Sequence, residues 1–83
     1  MNEAGGVVWL DLLKEVSPDR ANSKEWRLDC ELEKDLGIDS LSLMELVIAI
    51  EDVAGVEAAA SDIRGLRTVD DVRELWIRIS GDQ

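Results

Sequence analysis

The sequence has 83 residues, a formal net charge of −10 and three tryptophans as its only aromatic residues. Apolar residues make up 46% of it, too large a share for a disordered acidic tail, so we expect one small folded domain. The charge repels the phosphates of nucleic acids and of anionic membranes, which excludes both as expected partners and favours a basic protein surface.

Several kinds of site are excluded by residue types that are absent or occur once. Cys30 is the only cysteine, so no internal disulfide can form and a reducing, cytoplasmic compartment is favoured. The chain has no histidine, which excludes a Ser-His-Asp triad, and a lone cysteine excludes a structural zinc site. No apolar run reaches the ~20 residues that span a bilayer. We therefore expect a cytoplasmic, metal-free monomer that is not an enzyme by itself.

The first predicted element is a helix whose apolar residues share one face: Trp9, Leu12, Leu13 and Val16. Pro18 and the polar segment 17–25 break the chain after this helix. A long loop follows, and we expect the side chains of Trp26 and Leu28 to pack back against the core.

The next helix begins at Ser40 and has two apolar faces. Its core face comprises Leu43, Leu46, Val47, Ile50 and Ala54. A smaller face, rimmed by carboxylates, comprises Leu41, Met44 and Ile48 with Glu45, Glu51 and Asp52 around them. A surface helix of a small domain needs one apolar face, so the second predicts a docking surface for a partner. Two alternatives stay open: Leu41 and Met44 pack under the first loop, or the acidic residues form an ordinary solvated face.

The start of this helix offers a place for a phosphate group. Asp39 is suited to cap the helix, which puts Ser40 in the first turn beside backbone N–H groups and the positive end of the helix dipole. The chain has no histidine that could act as a base and activate the hydroxyl. Ser40 is therefore better suited to be a substrate than a catalyst.

The remaining elements follow the break at Gly55. We expect a short helix over residues 61–64 and a last helix capped by Thr68, with Asp71 in the capping-box position. The apolar stripe of that helix consists of Val69, Val72, Leu75, Trp76 and Ile79. The fold class predicted is all-α, a small four-helix bundle of three main helices and one short helix.

The segment "DLGIDSLSLMELVIAIED", residues 35–52, closely resembles the acyl carrier protein family, in which a D-S-L motif opens the second helix. The likeness extends to "WRLDCELEKDLGIDSL" and "IRGLRTVDDVREL" and covers a core of about 7–79. It implies a single carrier domain over residues 1–83, with the acyl-carrier fold.

The resemblance also implies a function. Ser40, between Asp39 and Leu41, would be the attachment point of 4′-phosphopantetheine, which a phosphopantetheinyl transferase supplies from coenzyme A. The thiol of the arm would carry acyl intermediates as thioesters between enzymes such as an acyltransferase and a ketosynthase. The acid-rimmed face around Met44 would dock the basic surfaces of those enzymes.

Departures from the family pattern refine this expectation. Ile38 before Asp39 differs from the G-G-[HD]-S pattern of peptidyl carriers and favours an acyl carrier. Ser42 and Ala54, where fatty-acid carriers often have an acid and a bulky aromatic, favour polyketide over fatty-acid biosynthesis. The opening Met1 and the short length favour a discrete carrier. The alternatives are a peptidyl or aminoacyl carrier and an unmodified acidic interaction module of the same fold.

Overall fold

Residues 8–81 are described by the computed structural model of the protein, except for the side chain of Arg20. They form helices α1 (Val8–Val16), α2 (Ser40–Ala54), α3 (Ala60–Arg64) and α4 (Val69–Ser80), with a 3₁₀ helix at Arg20–Glu25. Within this range the only β pairing is an isolated bridge between Glu31 and Thr68. The all-α prediction with three main helices and one short helix is confirmed, and residue 7 of the predicted core lies outside the described range.

The three longer helices enclose the hydrophobic core. Helix α1 packs against α2 and α4, and α2 packs against α4. The core is aliphatic apart from one tryptophan, and its buried members are Leu13, Leu32, Leu36, Ile38, Leu46, Val47, Ile50, Leu66, Val69, Val72, Leu75 and Trp76. Burial of these side chains, and not helix propensity, supplies most of the stability of such short helices.

The loop before α2 contributes to this core and is fixed to the α3–α4 connection. Its side chains Leu32, Leu36 and Ile38 are buried. Its backbone is held where the Leu32 N–H donates to the Arg67 carbonyl at 2.8 Å. A second bond runs from the Val69 N–H to the Cys30 carbonyl at 3.0 Å. The segment that leads into α2 is therefore anchored to the start of α4 and the connection before it.

The end of α1 is tied to the same loop by the one buried polar side chain of the described residues, Ser17. Its hydroxyl donates to the Leu36 carbonyl at 3.1 Å and accepts the Asp19 N–H at 3.1 Å. The next residue, Gly37, has a left-handed φ of 74°, and an added Cβ would lie 3.1 Å from Pro18 Cγ. The positive φ favours glycine, an added Cβ would crowd Pro18, and the bend directs the chain into α2.

The two predicted loop contacts have different outcomes. Trp26 packs against the core, as predicted, and its indole N–H donates to the Asp19 carboxylate at 3.0 Å. The prediction for Leu28 is wrong, because its side chain is 48% exposed. The segment is held there by its backbone instead, since the Leu28 carbonyl accepts the Asp70 N–H at 2.9 Å.

The predicted cap of the last helix is confirmed. The Thr68 hydroxyl accepts the Asp71 N–H at 3.2 Å, and the Asp71 carboxylate accepts the Thr68 N–H at 3.0 Å. The short helix α3 begins one residue earlier than predicted, at Ala60. In the described range no helix is both long and apolar enough to cross a bilayer.

Candidate functional site

The candidate site is built around the N-terminus of α2, where Ser40 is the first helical residue and is exposed. Asp39 caps the helix with extended backbone, and its carboxylate accepts the Ser42 N–H at 2.8 Å. The Asp39 carbonyl accepts the first intrahelical bond, from the Leu43 N–H, at 2.9 Å. The cap therefore fixes the turn that presents Ser40 to the solvent.

The charge at this terminus is set by the same cap. Hydrogen bonds from the Ser42 N–H, and secondarily from its hydroxyl, lower the pKa of the Asp39 carboxyl below its ordinary value. Asp39, which is ionised at neutral pH, lies at the positive end of the α2 dipole, where its negative charge is favourable. A phosphate attached to Ser40 would be attracted by this positive end of the dipole and repelled by the negative charge of Asp39.

A groove of about 270 Å³ opens beside the serine, and we call it the Ser40 groove. It runs from the start of α2 to the loop and the α3–α4 connection. Its walls combine apolar and charged side chains: Glu31, Leu32, Glu33, Ile38, Asp39, Ser40, Leu43, Leu66 and Arg67. Sequence reasoning missed Arg67 and the two glutamates here, because only the tertiary fold brings them next to Ser40.

The second apolar face of α2 is exposed, at 70% for Leu41, 42% for Met44 and 54% for Ile48. Leu41 and Met44 therefore do not pack under the loop, and that alternative is wrong. Glu45 and Asp52 beside them are exposed as well. These five residues form one continuous surface, called below the exposed α2 face. An apolar patch with a charged rim is typical of a surface for protein partners.

Glu51, the third carboxylate predicted on the rim, has a different environment. It is half-buried, and its carboxylate accepts the Ala58 N–H at 2.8 Å. This bond ties the last turn of α2 to the segment that leads to α3. Glu51 thus has a structural contact that Glu45 and Asp52 lack among the described residues, and its part in docking stays a prediction.

The chemistry that the site can support is narrow. The chain has no histidine, and among the described residues no group of three or more potential ligands could hold a metal ion. What the site presents is an exposed hydroxyl at a helix N-terminus beside a groove of mixed polarity. This arrangement suits a phosphodiester on Ser40 that bears a flexible substituent. The backbone N–H groups and the helix dipole favour the phosphate, and the groove can contact the substituent.

Comparison with known proteins points to the same group. Residues 9–76 match the family model described as a phosphopantetheine attachment site. An acyl carrier protein of Clostridium perfringens is 38% identical over 66 residues, which are 77% of this chain and 87% of that protein.

Two further relatives match over shorter stretches. An acyl carrier protein of Saccharopolyspora erythraea is 47% identical over 49 residues, which are 59% of this chain and 52% of that protein. The matched region thus spans about half of that relative. A meromycolate extension acyl carrier protein of Mycolicibacterium aurum is 53% identical over 38 residues, which are 46% of this chain and 39% of that protein.

Proposed function

This chain belongs to the acyl carrier protein family, and we propose that it holds acyl intermediates as thioesters on a 4′-phosphopantetheine arm attached to Ser40. That family carries the arm as a covalent prosthetic group. The observation that supports Ser40 as the attachment residue is its exposed position as the first residue of α2, beside the Ser40 groove. When bound, the arm supplies the thiol that holds the acyl group.

Attachment requires a partner enzyme, because the pantetheine comes from coenzyme A and this chain has no histidine to act as the base. The Ser40 Oγ bonds to the phosphorus that bears the pantetheine of coenzyme A, and the pyrophosphate bond breaks. Adenosine 3′,5′-bisphosphate leaves, and the hydroxyl proton passes to a base of the phosphopantetheinyl transferase. The contribution of this chain is to present Ser40 in a turn fixed by Asp39, where the helix dipole favours the new phosphodiester.

The partners of the carrier are proposed to dock on the exposed α2 face. Its apolar residues give a transferase, acyltransferase or ketosynthase a contact of moderate area, and Glu45 and Asp52 attract basic surfaces. Charges at the rim of an interface mainly raise the association rate, so the complex forms quickly and the carrier can still dissociate from its partner. We propose a cytoplasmic monomer, since a shuttle has to reach several enzymes in turn.

The cargo is proposed to be a polyketide-type intermediate, on the basis of Ser42 and Ala54. A growing fatty acyl chain is the second candidate, and it is supported by the local identity to a relative named as a meromycolate extension carrier. The mass of the acyl group on protein purified from its natural host separates the two. A β-keto or methyl-branched short acyl group supports the first, and a long saturated chain supports the second.

The attachment is tested by intact mass after incubation with coenzyme A, magnesium and a broad-specificity transferase. Wild-type protein and a Ser42→Ala control should each gain one phosphopantetheine, whereas Ser40→Ala should gain none. Ser42 is the matched control because it lies in the same turn of α2. A mass gain in Ser40→Ala would place the arm elsewhere, and no gain in any of the three proteins would favour an unmodified interaction module.

A further inference from the structure

The charges that line the Ser40 groove are unbalanced. Its lining residues include three acids, Glu31, Glu33 and Asp39, and one cation, Arg67. A phosphodiester on Ser40 adds a further negative charge to this set. The N-terminal dipole of α2 offsets part of the repulsion, and a guanidinium at the same groove is suited to offset more.

Arg67 is held at the groove by its backbone. Its N–H donates to the Asp71 carboxylate at 2.9 Å, and its carbonyl accepts the Leu32 N–H at 2.8 Å. Leu32 in turn accepts the Ile38 N–H at 2.9 Å, two residues before Ser40. A short chain of backbone hydrogen bonds thus fixes the position of Arg67 relative to the serine.

The guanidinium of Arg67 has no carboxylate partner among the described residues. Other arginines in the same range do form ion pairs, and these are Arg27 with Asp29, Arg73 with Asp70 and Glu74, and Arg78 with Asp62. Arg67 is exposed and lines the groove, so its long side chain can reach an anion bound there. Guanidinium groups bind phosphate oxygens through two parallel N–H donors.

We propose that Arg67 binds the phosphodiester that joins the arm to Ser40 and positions the first atoms of the arm in the Ser40 groove. This inference rests on the proposed attachment to Ser40. Arg67 acts here as a positioning residue, because it contacts the linker of the prosthetic group and not the thiol that carries the acyl group.

The position has a consequence for docking. Leu43 lines the groove, and Leu41 belongs to the exposed α2 face. These two residues point about 160° apart, but Ser40 also lines the groove and, four residues before Met44, points only about 40° away from it, so the groove and the face adjoin at the first turn of α2. An arm whose phosphate is held by Arg67 therefore starts in the groove, next to the face on which a partner enzyme is proposed to dock.

The inference is tested by ³¹P NMR of the modified protein. We compare wild type with Arg67→Gln and with Arg64→Gln, an exposed arginine at the end of α3 that does not line the groove. In Arg67→Gln the ³¹P resonance should move toward its position in the urea-unfolded modified protein and should narrow, because the phosphodiester becomes more mobile. Arg64→Gln should keep the wild-type resonance. Arg67→Lys retains the positive charge but lacks the planar guanidinium, so its resonance should lie between those of wild type and Arg67→Gln.

The outcomes distinguish the inference from the function on which it depends. A wild-type ³¹P resonance in Arg67→Gln overturns the Arg67 contact while leaving the attachment intact. An equal change in Arg64→Gln also overturns it, because the effect would then reflect net charge alone. If no protein gives a ³¹P resonance after incubation with the transferase, the attachment itself is contradicted. Amide ¹⁵N spectra of each variant check that the fold is retained.

Discussion

The carboxylate of Asp39 connects the stability of α2 with the presentation of Ser40. By accepting the Ser42 N–H it satisfies a donor that the helix itself leaves without a partner. The same hydrogen bonds lower the pKa of the carboxyl, so the ionised form stabilises the folded state. Loss of this cap would loosen the turn that we propose the transferase recognises.

We predict that Asp39 makes the fold sensitive to acid. A carboxyl whose pKa is lower in the folded than in the unfolded state contributes stability above the unfolded value, about 3.9 for aspartate. That contribution is lost as the pH falls through the lower folded pKa. Asp39→Asn retains an acceptor oxygen and removes the charge, so its free energy of unfolding should be below that of wild type at neutral pH and should fall less on acidification.

The measurement is urea unfolding of both proteins at a series of pH values from neutral to below the unfolded pKa. Asp19, whose pKa is also lowered by hydrogen bonds from Asn22 and Trp26, adds to the acid sensitivity of both proteins. The difference between the two proteins therefore isolates Asp39. Parallel pH profiles for wild type and Asp39→Asn would show that the carboxylate does not stabilise the folded state by its charge.

The single residues that sequence could identify are those whose roles are local. Asp39 and Thr68 cap helices through residues three positions away, and a cap pattern is visible in any window of that length. Arg67 and Ser17 act on segments distant in sequence, Ser17 on the Leu36 carbonyl nineteen residues away. No local pattern marks such contacts, so they became evident only in the fold.

At the scale of the element, α2 has one apolar surface that is buried in the core and another that is exposed to solvent. Leu46, Val47 and Ile50 are fully or almost fully buried, whereas the exposed α2 face keeps three large apolar side chains in solvent. Exposed apolar surface of this kind brings no folding stability. Its substitution should therefore affect partner binding, while substitution on the core side should affect the fold.

We predict that Met44→Glu lowers kcat/KM for modification by the transferase about fivefold or more, since loss of an anchor side chain commonly costs over 1 kcal/mol of binding. Because Met44 is exposed, the free energy of unfolding should change by only about 0.5 kcal/mol. Leu46→Ala should instead lower the free energy of unfolding by about 2–5 kcal/mol. Chemical denaturation and initial rates of modification measure the two effects.

Val53 provides the matched control for the docking prediction. It is 54% exposed, similar to Met44, and nine residues further along the same helix it points to the opposite side. Val53→Glu introduces the same charge into α2 and should leave the modification rate close to that of wild type. If Val53→Glu slows the reaction as much as Met44→Glu, added negative charge and not loss of the apolar contact would be the cause.

The helices could be predicted from the sequence more fully than the long loop. Helical periodicity identified the core face of α2, and Leu46, Val47 and Ile50 are buried as it predicts. The loop has no period, so the burial of Leu32, Leu36 and Ile38 and the exposure of Leu28 could not be inferred. Their positions depend on backbone bonds to the α3–α4 connection, which is distant in sequence.

At the scale of the whole molecule, seven of the 19 acidic residues lie between Lys34 and Arg64, the stretch that includes all of α2. No lysine or arginine occurs within this stretch. A partner with a basic surface would be attracted over a distance set by the Debye length, about 10 Å at 0.1 M salt and about 3 Å at 1 M. The charge distribution therefore favours fast and reversible association.

We predict that kcat/KM for modification falls severalfold as sodium chloride rises across that range, because screening removes the electrostatic gain in association rate. The double variant Glu45→Gln, Asp52→Asn should be slower at low salt and less sensitive to added salt. Its control is the double variant Asp11→Asn, Glu15→Gln, which removes the same charge from two exposed carboxylates on α1. A wild-type rate independent of salt would contradict electrostatic steering of the transferase.

The most direct measurement on the central claim is tandem mass spectrometry of the peptide that contains Ser40 and Ser42, taken from protein purified from its natural host. Fragment ions should place one phosphopantetheine on Ser40, with Ser42 unmodified, and part of the population should carry an acyl group on the arm. A peptide that is wholly unmodified in cells with an active transferase, or an arm on any other residue, would contradict the assignment of this chain as a carrier loaded at Ser40.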